Sequence, residues 1–178
     1  LMTAPHIGIT GVNDEDGESD RIWVAGFIVR DPSRTVSSFR ATGGLDDALV
    51  DQGIVGVSGI DTRAVTRRLR SVGVMRAGIF SGPDDDLDAE EQLALVRAAE
   101  QMAGQNLSAA VSTSELYRLA AEGDRIGSVA VLDLCVKSST LRYLTARGFD
   151  VIVVPESITK DGLFALEPDA VFFSNGPG

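Results

Sequence analysis

The sequence predicts an α/β protein whose second part contains a parallel sheet. Apolar, β-branched runs alternate with amphipathic helical segments along most of the chain. From about residue 127 the order becomes strand–helix–strand–helix–strand, which implies parallel strands joined by crossover helices. The 178 residues are 44% hydrophobic and 24% charged, so composition is that of a globular protein of one domain or parts of two.

The first part of the chain predicts several short elements after a loop. Residues 1–20 are rich in glycine and acidic residues and predict that loop. Asp61 is a suitable N-cap, because its carboxylate can accept the free amides of a first helical turn. The predicted elements are strands over 21–30, 54–60 and 74–80, and helices over 46–51, 61–70 and within 84–104.

A change in composition near residue 120 predicts a linker over 120–124. The predicted elements beyond it are strands over 129–134, 151–154 and 170–173, and helices over 138–147 and 159–166. Ligands of such sheets bind beyond the carboxyl ends of the strands. Segment 174–178, Ser-Asn-Gly-Pro-Gly, occupies one of those ends.

Segment 174–178 is a candidate binding loop. Its two glycines around a proline predict a tight turn with accessible backbone N–H and C=O groups. Such a turn can hold an amino-acid substrate through its main chain. The alternative is a turn that only ends the strand, and spacing alone favours that alternative.

Cys135 and His6 are the single cysteine and the single histidine of the chain. A thiolate is a good acyl nucleophile, but no histidine of the second part could activate Cys135, so we predict a buried, unreactive thiol. His6 is predicted to hydrogen-bond within its loop. The two residues do not form a zinc site, and no metal ligands are predicted. A lone cysteine also fits a reducing compartment, so we expect a cytoplasmic protein.

Charge patterning limits the kinds of partner. The net charge of −10 argues against nucleic-acid binding, and no apolar run approaches the roughly 18 residues of a membrane span. Arg63, Arg67 and Arg70 share one helical face. They form either a docking surface for an acidic partner or a solvated face, which is slightly favoured. Asp133 either pairs with Lys137 or caps the following helix.

Five groups of residues, taken in order, resemble one family, the small chain of carbamoyl-phosphate synthetase. The resemblance covers nearly the whole chain and is weakest around 83–125. The groups are Thr-Ala-Pro-His-Ile-Gly at 3–8, Thr-Gly-Val-Asn-Asp-Glu-Asp at 10–16, Gly-Ile-Asp-Thr-Arg at 59–63, the set Asp133, Val136, Lys137, Leu141 and Arg142, and segment 174–178.

The resemblance implies two domains. Residues 1–120 would be the small-chain N-terminal α/β domain, incomplete at its start. Residues 127–178 would be the first β-α-β-α-β part of a flavodoxin-like class I glutamine amidotransferase domain, truncated before its nucleophile. The chain would thus be an internal fragment, and both of its ends are expected to be cuts.

The implied activity is that of a glutamine-hydrolysing ligase. The family's small chain hydrolyses glutamine with a cysteine nucleophile and a His–Glu pair. It passes ammonia to a large chain, which uses ATP, Mg and bicarbonate to make carbamoyl phosphate for arginine and pyrimidine synthesis. The nucleophile lies downstream of segment 174–178, so this segment alone is predicted to be inactive, with no catalytic residue and no cofactor of its own.

Gly176 and Gly178 match family positions whose backbone contacts the bound glutamine. Two residues depart from the family pattern: Ile9 replaces a usual asparagine, and Cys135 replaces a usual glycine. Two alternatives stay open. The chain could be a non-catalytic α/β binding or assembly module, or an amidotransferase serving another synthase. The N-terminal motif at 59–63 argues against the second.

Overall fold

The computed structural model describes residues 1–4, 6–82 and 86–177, and its folding class is α/β, as predicted. The chain divides into two compact units, Leu1–Met102 and Ala103–Gly178. The family-domain boundaries expected from the resemblance, 1–120 and 127–178, stay predictions. The strand at Tyr117–Leu119 pairs within the second unit.

The first unit holds one small parallel sheet and three helices. Its two strands pair with Gly26 opposite Val55. The predicted cap at Asp61 is confirmed, since the Asp61 carboxylate accepts the Ala64 N–H at 3.0 Å. The elements are β1 (Gly26–Ile28), α1 (Leu45–Asp51), β2 (Val55–Val57), α2 (Thr62–Val72) and α3 (Ala89–Ala98).

Two strand predictions for the first unit need correction. The strand predicted over 21–30 forms only at β1, and residues 74–80 form no strand. Val74 is 84% exposed there. Strand propensity reflects packing against neighbouring strands, so an apolar run without such a neighbour does not form a ladder. Leu93 and Leu95 of α3 are exposed.

The second unit is built on a four-stranded mixed sheet. In the order β3-β5-β4-β6, strand β4 pairs in parallel with both β5 and β6, while β3 is antiparallel to β5. The strands and helices predicted beyond residue 127 are confirmed to within a few residues. The elements are α4 (Leu107–Val111), β3 (Tyr117–Leu119), β4 (Gly127–Asp133), α5 (Ser138–Thr145), β5 (Phe149–Pro155), α6 (Lys160–Phe164) and β6 (Ala170–Phe173).

The core of the second unit lies along β4 and β5. One cluster joins Leu141 of α5 to valines of both strands, among them Val131 and Val153. On the opposite side of the same strands, Ala130 and Ile152 are also buried. Central parallel strands are covered on both faces, which explains why these segments are continuous apolar runs in the sequence.

Two carboxylates hold the amino-terminal edge of this sheet. Asp169 accepts the N–H and the hydroxyl of Ser128 at 2.7 and 2.9 Å, and these bonds lower its pKa. Asp150 accepts the Ala121 N–H at 2.9 Å and pairs with Arg125, and the pKa of Asp150 is lowered by these two contacts in that order. The carboxyl ends of the strands, at the opposite end of the sheet, are therefore the place left for a binding site.

Candidate functional site

The candidate site lies at the carboxyl ends of β4 and β6. From β4 the chain passes to β5 on one side and then to β6 on the other, so the strand order reverses beside β4. Open α/β sheets bind ligands at such a reversal. Residues 133–137 follow β4 there, and residues 174–177 follow β6.

Asp133, the last residue of β4, organises the turn that follows it. The residue is buried, and its Oδ1 accepts the amides of Cys135 and Val136 at 3.0 and 2.9 Å. Its Oδ2 accepts the Thr113 amide at 2.7 Å. Neither predicted role is seen: α5 has Lys137 at its N-cap position without a side-chain capping bond, and the ion pairs among the described residues do not include Asp133 with Lys137. The Asp133 carboxylate instead joins the turn after β4 to the segment before β3.

The Asp133 charge also acts on Tyr117. Burial is the main cause that raises the pKa of the Tyr117 hydroxyl, and the negative charge of Asp133 is the second. The Asp133 carboxylate itself is hydrogen-bonded by the backbone amides of Thr113, Cys135 and Val136, so its role here is to shape the turn.

Cys135 is exposed, so the prediction of a buried thiol is wrong. The turn fixed by Asp133 gives Cys135 a φ of +99°. Few residues with a side chain adopt such a value, whereas glycine does so without steric cost. The family resemblance places glycine at this position. The departure from the family pattern therefore falls on a backbone conformation that suits glycine.

Segment 174–177 packs directly on the end of β4. Ser174 is buried, and its Oγ accepts the Leu134 N–H at 2.9 Å while its own N–H donates to Leu132 O at 3.3 Å. The Ser174 Oγ also donates to the Asn175 carbonyl at 3.2 Å. Sequence reasoning missed this role of Ser174 and the anchoring role of Asp133. Their shared signal is a polar residue at the end of an apolar strand.

Close packing against Leu134 requires glycine at position 176. A Cβ added at Gly176 would overlap the carbonyl oxygen of Leu134 and lie 2.8 Å from the Leu134 Cβ. Only glycine permits this approach of the turn to β4. The substrate contact expected of Gly176 stays a prediction, and Gly178, the other predicted contact, lies outside the described residues.

Residues before β3 border the same turn. The hydroxyl of Ser108 in α4 donates to the Pro177 carbonyl at 3.3 Å. The Ser112 Oγ accepts the Glu156 N–H at 2.9 Å, and Asn106 donates to the Glu156 carboxylate at 3.1 Å. Segment 106–113 thus ties the ends of β5 and β6 together. No distinctive pattern in the sequence marked this segment.

The other predicted candidates lie in the first unit. His6 contributes its backbone carbonyl, which accepts the Ile9 N–H at 3.1 Å. Arg63, Arg67 and Arg70 are exposed on α2. Within residues 1–4, 6–82 and 86–177, no group of three or more His, Cys, Asp or Glu side chains could hold a metal ion. The helices formed by those residues are too short or too polar to cross a bilayer.

Comparison with known proteins identifies relatives of the chain. Residues 1–79 match the family model described as carbamoyl-phosphate synthase small chain, CPSase domain. The whole chain is 52% identical to the carbamoyl phosphate synthase small chain of Streptomyces coelicolor and covers 47% of that protein. It is likewise 52% identical to the small chain of Bifidobacterium longum, covering 47% of it, and 48% identical to that of Mycobacterium leprae, covering 48%. These matches include 100% of this chain.

The matches extend beyond the first unit and include the turn at the end of β6. The chain spans about half the length of the curated relatives it matches. The motifs recognised in the sequence and the similarity over the whole chain agree: both point to the small chains of carbamoyl phosphate synthase as the proteins this chain is similar to.

Proposed function

We propose that this chain is part of the small subunit of a glutamine-dependent carbamoyl-phosphate synthase. The whole protein would hydrolyse glutamine and supply ammonia to a large subunit, which forms carbamoyl phosphate from ammonia, bicarbonate and ATP. The observation that carries the proposal is the turn of residues 174–177 packed on the end of β4, where the strand order reverses. The names of the relatives support the same role.

The second unit is proposed to be the first part of a flavodoxin-like class I glutamine amidotransferase domain. Counting β4, β5 and β6 as the first three parallel strands, their spatial order is 2-1-3. Flavodoxin-like sheets begin with that order and bind their ligand beside the first and third strands. The proposed family domains are residues 1–120 and 127–178.

Gly176 and Gly178 are proposed to form one wall of the glutamine pocket. Because Gly176 lets the turn lie against Leu134, its backbone groups are held at the carboxyl edge of the sheet. Main-chain N–H and C=O groups there can bind the charged α-substituents of an amino acid. The binding energy would position the side-chain amide for attack, and orientation of this kind accounts for a large share of enzymatic rate enhancement.

The cysteine that attacks glutamine is proposed to lie outside residues 1–178, together with its His–Glu partners. Its thiolate would add to the side-chain amide carbon, ammonia would leave, and water would release glutamate from the thioester. Cys135 is not assigned this role, because the only histidine, His6, belongs to the other unit. Carbamoyl-phosphate synthesis with ATP and Mg is assigned to the large subunit.

The test compares two ammonia sources in the whole protein assembled with its large subunit. Gly176→Ala forces the turn away from Leu134, so the rate of carbamoyl phosphate formation from glutamine is expected to fall about a hundredfold. The rate from added ammonium should be unchanged. Gly17→Ala is the matched control, since the atoms nearest to an added Cβ there, the carbonyl oxygens of Asp14 and Ser19, lie at 3.9 Å in ordinary contact, and both rates should persist.

Two outcomes would contradict the proposal. One is an equal loss of both rates in Gly176→Ala while Gly17→Ala keeps them. The other is ammonia release from glutamine by isolated residues 1–178 that depends on Cys135. That second result would place the nucleophile inside this segment.

A further inference from the structure

Helix α2 carries a concentrated positive surface on an acidic protein. Arg63, Arg67 and Arg70 follow i, i+4, i+7 spacing, so they share one face, which we call the basic face. Thr62 is buried and Leu69 is partly buried, so the helix packs through another side. The three arginines stay exposed.

The basic face has no acidic partner within the described part of the chain. None of its three guanidinium groups makes a hydrogen bond or ion pair to residues 1–4, 6–82 or 86–177. Elsewhere the chain does pair its arginines: Arg40 bonds Glu15 and Asp16 at 3.0 and 2.8 Å. The chain has 26 acidic residues and a net charge of −10, so acidic side chains are abundant.

Like charges one turn apart on a helix repel each other. Helix α2 contains no Asp or Glu that would relieve this repulsion. An acidic surface placed against the basic face removes the repulsion and adds attraction. Guanidinium groups suit this role, because their planar donors bind carboxylates in a bidentate manner and arginine is enriched at the energetic centres of protein interfaces.

The length of the basic face and the net charge of the chain favour a protein over a nucleic acid as the occupant. From Arg63 to Arg70 the face extends about 10 Å at 1.5 Å per residue, a span that a few carboxylates can match. A phosphate backbone is a long row of negative charge, and the net charge of −10 repels it over the rest of the surface.

We propose that the basic face of α2 docks on an acidic surface of the large subunit. The identity of the partner rests on the proposed function, whereas the position and the charge of the surface rest on α2 itself. The face then serves subunit association and does not take part in glutamine hydrolysis.

Two adjacent arginines provide the test. Arg67 belongs to the basic face. Arg68 lies about 100° further around the same helix, is also exposed, and its guanidinium group makes no hydrogen bond or ion pair to the described residues. In the whole protein, Arg67→Glu is expected to weaken binding to the large subunit about tenfold. Arg68→Glu should change binding less than about twofold. The triple variant R63E/R67E/R70E should weaken binding about a hundredfold or more.

Salt provides a second measurement. Raising NaCl from about 50 to about 500 mM should weaken wild-type binding, and the triple variant should lose most of that dependence. Circular dichroism confirms that each variant keeps its helices. If the triple variant fails to fold, the comparison of Arg67→Glu with Arg68→Glu decides.

Several outcomes would overturn the docking proposal: equal effects of Arg67→Glu and Arg68→Glu, no effect of either, or wild-type binding to RNA through the same arginines without binding to the large subunit. Glutamine hydrolysis by the whole protein alone is a separate readout. If it is absent in the wild type, the proposed function fails. If it is present and Arg67→Glu binds normally, only the docking proposal fails.

Discussion

The two units of the molecule differ in how they bury similar apolar sequences. In the second unit, Val131, Val151 and Val153 are fully buried in neighbouring strands. In the first unit, the buried hydrophobic residues among those described are Val29 and Leu49, while Val74 is largely exposed. The same residue type therefore lies in a core or in solvent according to whether strands pair on both sides of it.

Sheet size explains much of this difference. Strand β4 is seven residues long and pairs with β5 along its whole length and with β6 over four residues, whereas β1 and β2 are three residues long and form a two-stranded sheet. Two strands alone are marginally stable in water, and stability requires a larger sheet or helix packing. The second unit should therefore resist unfolding more than the first.

The largest expected effect comes from placing a charge in the core of β5. Val153→Asp should destabilise the second unit by more than about 4 kcal/mol, because an unpaired carboxylate would be buried. Val50→Asp is the control in the first unit, where the side chain is 76% exposed, and its effect should stay within about 0.5 kcal/mol. Urea unfolding and amide exchange in β4 and β5 measure both. Tolerance of Val153→Asp would remove the contrast between the units.

A smaller effect is expected at the turn after β4. Cys135→Gly should stabilise the second unit by about 0.5–1 kcal/mol, because glycine adopts a φ of +99° without steric strain, although it also increases the entropy of the unfolded chain. Cys135→Ser keeps a side chain at this φ and should leave stability nearly unchanged. Thermal unfolding compares the three proteins. A destabilised Cys135→Gly would mean that the thiol makes a favourable contact of its own.

The smallest expected effect is a loss of stability of the second unit at acidic pH. The folded-state pKa values of Asp150 and Asp169 are lowered, so the stability they contribute is complete above their unfolded pKa of about 3.9 and is lost as pH falls further. Asp169→Asn should reduce this loss, since no proton is then taken up at that site. Asp20→Asn, which replaces an exposed carboxylate of the first unit, is the control substitution. Urea midpoints from pH 7 down to pH 3 measure the slope, and parallel slopes for wild type and Asp169→Asn would count against this assignment.

Much of the second unit followed from its sequence. Uninterrupted apolar runs predicted β4, β5 and β6, and the two helical segments between them were also predicted from the sequence. These signals are local, because each element is predicted from its own residues and from those that directly flank it. The failure over 74–80 is of another kind, because a strand also needs a neighbour, and pairing is decided by residues far away in the sequence.

The candidate site was predicted in position and less completely in detail. Segment 174–178 was expected at a strand end, and its described part is there. The exposure of Cys135 could not be predicted, because it depends on how the Asp133 carboxylate arranges the following amides. The anchoring of Ser174 to Leu134 likewise depends on which strands become neighbours. The periodicity of apolar residues cannot predict such contacts, because it describes a single helix or strand and not the contacts between two of them.

The pairing of β6 with β4 has a consequence for the order in which the protein folds. The bond from Leu134 N–H to the Ser174 hydroxyl joins residues 40 positions apart, whereas β4 and β5 come together across a shorter loop. Contacts between residues distant in sequence form more slowly, because closing the longer loop costs more chain entropy before the contact contributes any favourable energy. Synthesis also delivers β4 and β5 before β6. The hydrophobic centre formed by β4 and β5 can therefore assemble first, and the turn that is proposed to meet glutamine becomes ordered after it.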